Sequence, residues 1–526
     1  MRPISVFSMM ILTLTIASGP LAVAADTDGS QMLALQMRSR VEEPAGSGQF
    51  NIVYKTVRWA PKKTAIIICD MWDTLCCEIP ARRVAEMAPR MNEVISEARK
   101  RGVLIVHSPS GNVDFYKDTP QRKLCQQAPK VESKVPLKWC YLDPKREPPL
   151  PIDDSDGGWQ GPRLPGRPQT RQHEAIKIEE GDAVGAGPDV YYLIQQRGIE
   201  NVILMGVHTN MCVLGRPFGI RQMVYLGNNV ALMRDMTDSL YNPKKKPHVS
   251  HFRGTALVVE HIEKYWCPTI TSTALLGRPA FRFKEDRRPH VAIIVSDDHY
   301  HADKTLPAFA QMLRERYGCY ATVLHGEGRA DIPHLEELEA ADLMILYVRR
   351  LGLPKEQLGR IRKYLASGKP LVALRTANHA FAIRYKVPKG YKTPEGRAEW
   401  REFDAEVLGG NYHGHGPNPL GTDVAVLPDA ADHPLLAGVE PGKWHSTGSL
   451  YFVSPLKKDC RVLMTGSIPE QTEPLTWTRT YKGGRVFCTM LGHRDDFDAP
   501  QFRRLLVNGI FWAMDRPVPK DAAGGS

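Results

Sequence analysis

Short, continuous apolar runs alternate with segments of helical periodicity along most of this 526-residue chain. Residues 65–69 form the first apolar run, a helical pattern over 81–101 follows, and residues 103–106 form the second run. A strand that is apolar throughout is typically buried on both faces. A strand–helix–strand succession joins parallel strands by a right-handed crossover. We therefore predict an α/β protein built from open, mostly parallel sheets in three-layer domains.

The pattern occurs twice, and this predicts two domains. The first covers residues 61–276 and the second covers 290–516, joined by a basic, proline-containing linker at 277–289. Residues 26–60 are mixed and polar, and are interpreted as a leader packed on the first domain. Residues 517–526 are interpreted as a tail.

Residues 108–172 interrupt the first domain with a segment rich in proline and glycine. A loop of this length inside a domain is usually functional or disordered. Three acids lie close to a glycine here, at Asp153, Asp154 and Asp156. This pattern is compatible with calcium binding and with a polar surface loop. The absence of the EF-hand spacing favours a polar loop beside the active site.

The first 25 residues resemble a targeting segment. Arg2 is their only charge, residues 6–17 are mostly apolar, and Ala22-Val23-Ala24 supplies small residues for cleavage. This pattern predicts a cleavable signal peptide and a periplasmic or secreted protein. An uncleaved anchor is the alternative, although the run is short for a span of about 20 residues.

The charge distribution argues against nucleic-acid binding, and the cysteine spacing argues against a dense disulfide scaffold. The formal net charge is +11, but the basic residues are scattered and no nucleic-acid motif accompanies them. The ten cysteines contain no C-x-x-C pair. One or two disulfides are compatible with this spacing, and a dense disulfide scaffold is not expected.

Three reactive side chains fall on predicted strands or directly after them in the first domain. Asp70 follows the first strand, Lys177 lies in a strand predicted at 175–178, and Cys212 follows a strand predicted at 202–207. Ligands of open α/β sheets bind at the carboxyl ends of strands. A thiolate is the attacking form of cysteine, an ammonium favours it, and a carboxylate can move its proton. Taken singly, residues of these types more often have structural roles: a small buried thiol, a helix cap and a surface lysine.

The surrounding motifs decide between these interpretations. Ile-Ile-Ile-Cys-Asp-Met-Trp-Asp at 66–73 and Gly-Val-His-Thr-Asn-Met-Cys-Val at 206–213 resemble the opening strand and the nucleophile segment of the isochorismatase-like cysteine hydrolases. The resemblance implies that Cys212 attacks an amide-type carbonyl, that Asp70 is the general acid and base, and that Lys177 holds both groups in place. It also implies a cis peptide at Val207–His208 and an oxyanion hole formed by backbone amides near His208 and Cys212.

The chain also departs from that family. Residues 106–111 lack the Asp-x-His metal motif of the nicotinamidases, so no metal or other cofactor is expected. The presence of Cys212 argues against isochorismatase itself, which does not use this thiol. Arg216 and Pro217 stand where the family usually has small residues, and this predicts an unusual pocket.

The second domain is similar to the ThuA-like trehalose-utilisation domains, which share the class I glutamine-amidotransferase fold. The similarity rests on Thr-Trp-Thr-Arg at 476–479, Gly-Gly-Arg-Val-Phe at 483–487, Leu-Gly-His at 491–493 and Phe-Trp-Ala at 511–513. Residues 374–379 have no cysteine at the position of the glutaminase nucleophile, so glutaminase chemistry is excluded.

Histidines collect near the predicted strand ends of the second domain. Three interpretations are compatible with this pattern: a metal site, a sugar pocket, or a set of histidines that only form hydrogen bonds. The candidate pocket residues are His299, His301, Arg375, His379 and His493, with His413 and His415 nearby.

Two functional hypotheses follow. The first is an exported hydrolase that cleaves a C–N bond of a small amide through Cys212. The alternative is a carbohydrate-binding or sugar-processing protein whose function lies in the second domain. The expected partner is a small-molecule amide or a sugar-derived substrate. No nucleic acid and no membrane span after signal removal are expected, and a homo-oligomer is left open.

Overall fold

A computed structural model describes residues 31–517, except 76, 163–168, 297–298, 385 and 441–443. The predicted signal peptide and nearly all of the predicted tail lie outside these residues. Within the described part of the chain, no helix is both long enough and apolar enough to cross a bilayer.

The first sheet has eight strands in the order β2-β1-β8-β7-β6-β3-β4-β5. The six strands from β8 to β5 are parallel to one another, as the crossover pattern predicted, whereas β1 is antiparallel to β8. Every residue of β3 and β6 is buried, which explains their uninterrupted apolar sequence. The strands are β1 Leu33–Glu42, β2 Phe50–Trp59, β3 Thr64–Cys69, β4 Leu104–Ser108, β5 Ala183–Val184, β6 Asn201–Val207, β7 Asn229–Asp238 and β8 Thr269–Ile270.

Helices connect these strands and bury one face each. In α1, Val84, Met87, Met91 and Ala98 recur at helical spacing and are all buried. The helices are α1 Glu78–Lys100, α2 Pro120–Gln126, α3 Pro188–Gln196, α4 Cys212–Gly215, α5 Ile220–Leu226, α6 His251–Tyr265 and α7 Thr273–Leu276.

The segment interpreted as a leader contains an antiparallel hairpin. β1 and β2 pair along their whole length, and β1 continues the sheet through the Arg38–Thr269 pairing with β8. Arg38 and Arg40 both bind the buried carboxylate of Glu263. The leader prediction missed these strands because their charged residues are paired with side chains remote in sequence.

The second sheet has nine strands in the order β10-β9-β11-β13-β21-β20-β19-β16-β17. The strands from β10 to β21 are parallel, whereas β20, β19, β16 and β17 are antiparallel to their neighbours. This sheet is therefore mixed, and the expectation of a mostly parallel sheet holds only for its first half. Its strands are β9 His290–Ser296, β10 Tyr320–His325, β11 Leu343–Val348, β13 Leu371–Leu374, β16 Thr422–Val426, β17 Trp444–Ser446, β19 Arg461–Ile468, β20 Gln471–Tyr481 and β21 Gly484–Thr489.

Three helices and two small sheets complete this half of the chain. The short strands pair as β12 with β14 and as β15 with β18. The elements are α8 Ala302–Arg316, α9 Lys355–Ala366, α10 Pro500–Ala513, β12 Leu353–Pro354, β14 Arg397–Ala398, β15 Gly414–His415 and β18 Tyr451–Phe452.

The two halves are in direct contact through polar groups. The carboxylate of Glu337, in the second half, accepts hydrogen bonds from Thr273 Oγ1 (2.8 Å) and from the backbone N–H of Ala280 (2.9 Å). The hairpin contributes Thr56, which donates to Glu327, and Arg40, which donates to Gln311. The hairpin therefore completes the first sheet and also helps to hold the second domain.

Candidate active site

The turn that carries Cys212 lies between β6 and α4. The peptide bond Val207–His208 is cis, as the family resemblance implied. Gly206 has φ +110°, and a Cβ there would lie 2.0 Å from the carbonyl oxygen of Cys69, so only glycine fits this close approach. Thr237 Oγ1 donates to Gly206 O at 2.7 Å, and Thr209 N–H donates to Asp238 O at 2.9 Å. The neighbouring strand β7 therefore fixes the turn.

Asp70 follows β3 and lies fully buried beside this turn. Its backbone has φ +47°, an uncommon conformation for a residue with a side chain. Oδ1 accepts a hydrogen bond from Ser110 N–H at 2.8 Å, and Oδ2 accepts from Arg216 Nε at 3.1 Å and Nη2 at 3.0 Å. The carboxylate is thus held from both sides by an amide and a guanidinium.

Cys212 is buried next to Asp70 and Arg216. Burial, followed by the charge and hydrogen bond of Asp70, raises the pKa of its thiol to about 12, and Arg216 opposes this shift. Burial also raises the pKa of Asp70, against the effects of Arg216, Cys212 and Ser110. The resting cysteine is therefore a neutral thiol beside a carboxyl group that can take its proton.

Lys177 does not join this site, so this part of the prediction is wrong. Residues 175–178 form no strand, and the Lys177 side chain is exposed. Its Nζ donates to Glu174 O at 2.9 Å, and no described contact links it to Asp70 or Cys212. Arg216 supplies the positive charge instead.

The proline-rich insertion contributes directly to the site. Trp139 lies against Arg216, with the guanidinium carbon 5.4 Å from the ring centroid, and its indole closes over Gly215. Asp154 accepts a hydrogen bond from Asn210 at 2.8 Å, and Asp156 accepts one from Asn242. Asp154 therefore holds the insertion against the Cys212 turn, and Asp156 holds it against the loop that follows β7.

His208 is buried at the same turn. Burial lowers the pKa of its imidazole to about 4, so the ring is neutral. Within the described residues its Nε2 has no hydrogen-bond partner. Asp238 lies nearby, held by an ion pair to Arg83 and a hydrogen bond with His251.

In the second half of the chain, the structure brings Arg375 and His493 together. Arg375 directly follows β13, has φ +41° and is buried. Its guanidinium lies 4.5 Å from the ring centroids of both Tyr300 and Tyr451, and donates to Met490 O at 2.8 Å. His493 contacts Tyr300 at 5.3 Å between ring centroids. Arg375 therefore lies in the segment where a glutamine amidotransferase would carry its nucleophilic cysteine.

His379 belongs to a neighbouring cleft of about 210 Å³, here called the Asp404 cleft, which is lined by His379, Arg384, Arg401, Asp404 and Tyr412, among others. His379 stacks on Tyr412 at 4.8 Å between centroids, and burial with nearby arginines lowers its pKa to about 3. Asp404 is buried, and its Oδ1 has no partner among the described residues. Burial raises the Asp404 pKa to about 7.

Two of the other predicted histidines contact the tyrosines around Arg375: between ring centroids, His299 lies 6.0 Å from Tyr300 and His415 lies 6.1 Å from Tyr451. His299 and His301 are exposed, and His301 precedes α8 with φ +54°. Among described residues, no group of three or more His, Cys, Asp or Glu side chains could hold a metal ion. Nine described cysteines, including Cys212, are free thiols.

The two halves of the chain match two different families. Residues 64–263 match the isochorismatase domain family, and residues 291–513 match the family described as trehalose utilisation, ThuA. The chain joins an isochorismatase-like domain to a ThuA-like domain. The match over the first half of the chain supports a hydrolase.

Solved structures similar to each domain were also found. A ThuA-like protein from Parabacteroides merdae is 16% identical over 45% of this chain and 94% of its own, with a TM-score of 0.34. A cysteine hydrolase from Pseudomonas syringae pv. phaseolicola is 17% identical over 41% and 93%, with a TM-score of 0.27. An isochorismatase family protein from Desulfovibrio vulgaris is 14% identical over 40% and 96%, with a TM-score of 0.25. A comparison with curated proteins finds no match.

Sequence reasoning missed three residues of these sites. Arg216 was noticed only as a departure from small residues, although its position four residues after Cys212 is one helical turn away. Trp139 carries no local signal, because only the fold brings the insertion to Gly215. Asp404 lies in a single π-helical turn, Asp404–Leu408, that periodicity does not reveal.

Proposed function

We propose that the isochorismatase-like domain hydrolyses the C–N bond of a small amide, with Cys212 as nucleophile and Asp70 as general acid and base. One observation carries the proposal: the buried carboxyl group of Asp70 interacts with the Cys212 thiol while Arg216 and Ser110 hold its two oxygens. A neutral thiol needs a base at the moment of attack, and Asp70 is an acidic group in contact with it.

The proton moves in both directions during the reaction. As Cys212 Sγ attacks the carbonyl carbon, the Asp70 carboxylate takes the thiol proton. The resulting carboxylic acid returns that proton to the leaving amine, and the C–N bond breaks to leave a thioester on Cys212. Water then attacks the thioester, Asp70 takes a proton from the water, and the departing sulfur recovers a proton from Asp70.

The negative charge that develops on the carbonyl oxygen needs hydrogen-bond donors. The N–H groups of His208 and Cys212 donate to no backbone carbonyl within the described residues, which leaves them available for this oxygen. Arg216 is a positioning residue: it holds the Asp70 carboxylate and opposes the rise in the thiol pKa. Its guanidinium stays protonated and moves no proton.

A panel of small primary and secondary amides, screened for amine release, tests this function. Cys212→Ala and Asp70→Asn are each expected to lower kcat by at least about 10³-fold. Cys125→Ala is the matched control, because Cys125 is also buried in this domain and burial also raises its thiol pKa. Turnover that survives Cys212→Ala would reject the proposal.

Export of this hydrolase is part of the proposal. It rests on the charge-poor, apolar segment over residues 1–25 and the small residues at 22–24. Sequencing of the mature N-terminus after expression with a secretion system is expected to find a start near residue 25. A start at Met1 in the exported fraction would reject cleavage.

A second candidate function is recognition of a sugar or sugar derivative by the ThuA-like domain. The Asp404 cleft offers an aromatic surface on Tyr412 and His379, and a carboxyl oxygen of Asp404 that has no hydrogen-bond partner among the described residues. Aromatic faces pack on sugar rings, and carboxyl groups bind their hydroxyls.

A thermal-shift screen with sugars tests the second candidate. Stabilisation by a sugar is expected to disappear in His379→Ala and Asp404→Ala and to persist in Cys212→Ala. If no sugar stabilises the protein, or the effect survives both cleft variants, the ThuA-like domain does not bind sugars at this cleft.

A further inference from the structure

We infer that Arg349 and Arg350 bind the carboxylate or phosphate group of a small ligand, at the carboxyl ends of the parallel strands in the second sheet. Where that ligand is a sugar acid or a sugar phosphate, the inference rests on the second candidate function and names the class of sugar derivative. The anion contact itself does not depend on the Cys212 site.

Both arginines directly follow β11, which lies between two parallel neighbours. Open α/β sheets bind ligands at this end of their strands. Each side chain is half-buried, yet among the described residues neither guanidinium forms a hydrogen bond or an ion pair. Arg350 Nε is itself buried and has no partner there. A guanidinium has five N–H donors, which carboxylates and phosphates accept in pairs.

His379 lies beside these arginines, after the neighbouring strand β13. The backbone N–H of Arg350 donates to His379 O at 3.0 Å. His379 Nδ1 lies 2.5 Å from Asn378 Oδ1, and the Asn378 amide nitrogen faces Met490 Sδ at 3.3 Å. The ring proton is therefore on Nδ1, and Nε2 can accept a hydrogen bond from a ligand hydroxyl.

The strongest charges around His379 are positive. Burial lowers the pKa of its imidazole to about 3, and the charged groups that add most to this shift are Arg350, Arg349, Arg375 and His415. Burial, then the charge of Arg349, lowers the pKa of Arg350 itself. An anion bound between the two arginines would relieve this repulsion.

The described acidic groups of this region do not pair with the two arginines. Burial, then the charge of Arg375, lowers the pKa of His493, and Asp495 and Asp496 oppose that shift, so these carboxylates lie on the Arg375 side. Burial raises the Asp404 pKa to about 7, which keeps much of this carboxyl group protonated at neutral pH. No described carboxylate oxygen lies within 4.0 Å of a guanidinium nitrogen of either arginine.

Aromatic rings adjoin the arginines and lead into the Asp404 cleft. Tyr412 lies 4.8 Å from His379 and 5.0 Å from Tyr451 between ring centroids, and both Tyr412 and His379 line the cleft. A sugar ring can pack on these faces while its acidic group reaches Arg349 and Arg350. The arrangement therefore favours a ligand with a hydroxylated or planar body and one anionic group.

Isothermal titration calorimetry on the full chain at pH 7 tests this inference with four probes. Glucuronate carries a carboxylate on a sugar ring, glucose 6-phosphate carries a phosphate, glucose is the neutral counterpart, and inorganic phosphate is the anion alone. At least one of the two acidic sugars is expected to bind with a Kd below about 1 mM at low salt, and glucose at least about tenfold more weakly. The tighter of the two acids assigns the site to a carboxylate or to a phosphate.

Four variants locate the binding. Arg349→Gln and Arg350→Gln each remove one unpaired charge and are expected to weaken binding of the acidic sugar by at least about tenfold. Arg350→Lys keeps the charge without the paired donors and is expected to retain part of the affinity. Arg461→Gln changes an exposed arginine outside this group and is expected to leave the Kd unchanged. If Arg350→Gln does not fold, Arg349→Gln and Arg350→Lys decide the test.

The outcomes separate this inference from the second candidate function. Glucose binding as tight as that of the acids, lost in His379→Ala and unchanged in the arginine variants, keeps sugar recognition and overturns the anion site. Binding of inorganic phosphate alone, lost in the arginine variants, keeps the anion site and rejects sugar recognition. The inference is also overturned if no acidic probe binds at about 1 mM, or if acid binding survives both glutamine variants.

Discussion

Replacing Arg216 with methionine removes the ion-pair partner of the buried Asp70 carboxylate. Asp70 is 0% exposed and the Arg216 side chain is 27% exposed. Breaking a fully buried ion pair costs about 3–5 kcal/mol, and partial access of water reduces this to roughly 2 kcal/mol here. Loss of the contact with Trp139 adds about 0.5–1 kcal/mol at every pH.

The pH dependence follows from the Asp70 pKa, which burial raises above 3.8 in the folded protein. A raised carboxyl pKa contributes stability that is complete below 3.8 and is lost as the pH rises through the folded value. Without Arg216 the folded pKa rises further, so the loss of stability extends to higher pH. We expect Arg216→Met to cost about 1 kcal/mol at pH 4 and roughly 2–3 kcal/mol at pH 8.

Urea unfolding followed by circular dichroism at pH 4, 6 and 8 measures this difference. The double variant Asp70→Asn/Arg216→Met is expected to lose the extra cost at pH 8, because no charge is left unpaired. Arg82→Met is the matched control, since Arg82 forms an exposed pair with Glu285 and its loss costs less than about 1 kcal/mol at each pH. An equal cost of Arg216→Met at pH 4 and pH 8 would refute the reasoning.

Three further predictions concern single residues. Lys177→Met is expected to change kcat/KM for an amide substrate by less than about twofold, because Lys177 is exposed and outside the site; a loss comparable to that of Asp70→Asn would contradict its placement. Asp404→Asn is expected to flatten the fall in the free energy of unfolding between pH 4 and 7. The rise of the Asp404 pKa from 3.8 to about 7 corresponds to roughly 4 kcal/mol of stability that is lost as the pH rises. An unchanged pH dependence in urea unfolding would contradict this. Gly206→Ala is expected to destabilise the first domain by about 3–5 kcal/mol, because its Cβ would meet Cys69 O; a melting temperature within about 2 °C of the parent would contradict this.

Much of the fold could be predicted because its strands are locally distinct. The apolar run at 65–69 lies within β3, and the helical pattern over 81–101 matches α1 within three residues at its start and one at its end. The strand is apolar throughout, the helix buries one face, and Gly102 follows the helix. The β1–β2 hairpin could not be predicted in this way, because its arginines are buried only through the distant Glu263.

The candidate site was partly predictable because two of its residues follow strands that are locally distinct in sequence. Asp70 lies directly after β3 and Cys212 lies five residues after the end of β6, so local sequence placed them at one edge of the sheet. Lys177 was assigned to a strand from the short, mostly apolar segment 175–178, and this segment is a loop. Arg216 and Trp139 depend on contacts between remote segments, which neither periodicity nor motif spacing reports.

The most direct test of the central claim is to identify the covalent intermediate. An amide substrate found in the screen is mixed with the protein, quenched in acid and mapped by peptide mass spectrometry. The account predicts a substrate-derived acyl group on the peptide that contains Cys212 and on no other cysteine, with release of one equivalent of amine per acylated site. Continued turnover by Cys212→Ala, with no acylated peptide in the parent protein, would contradict it.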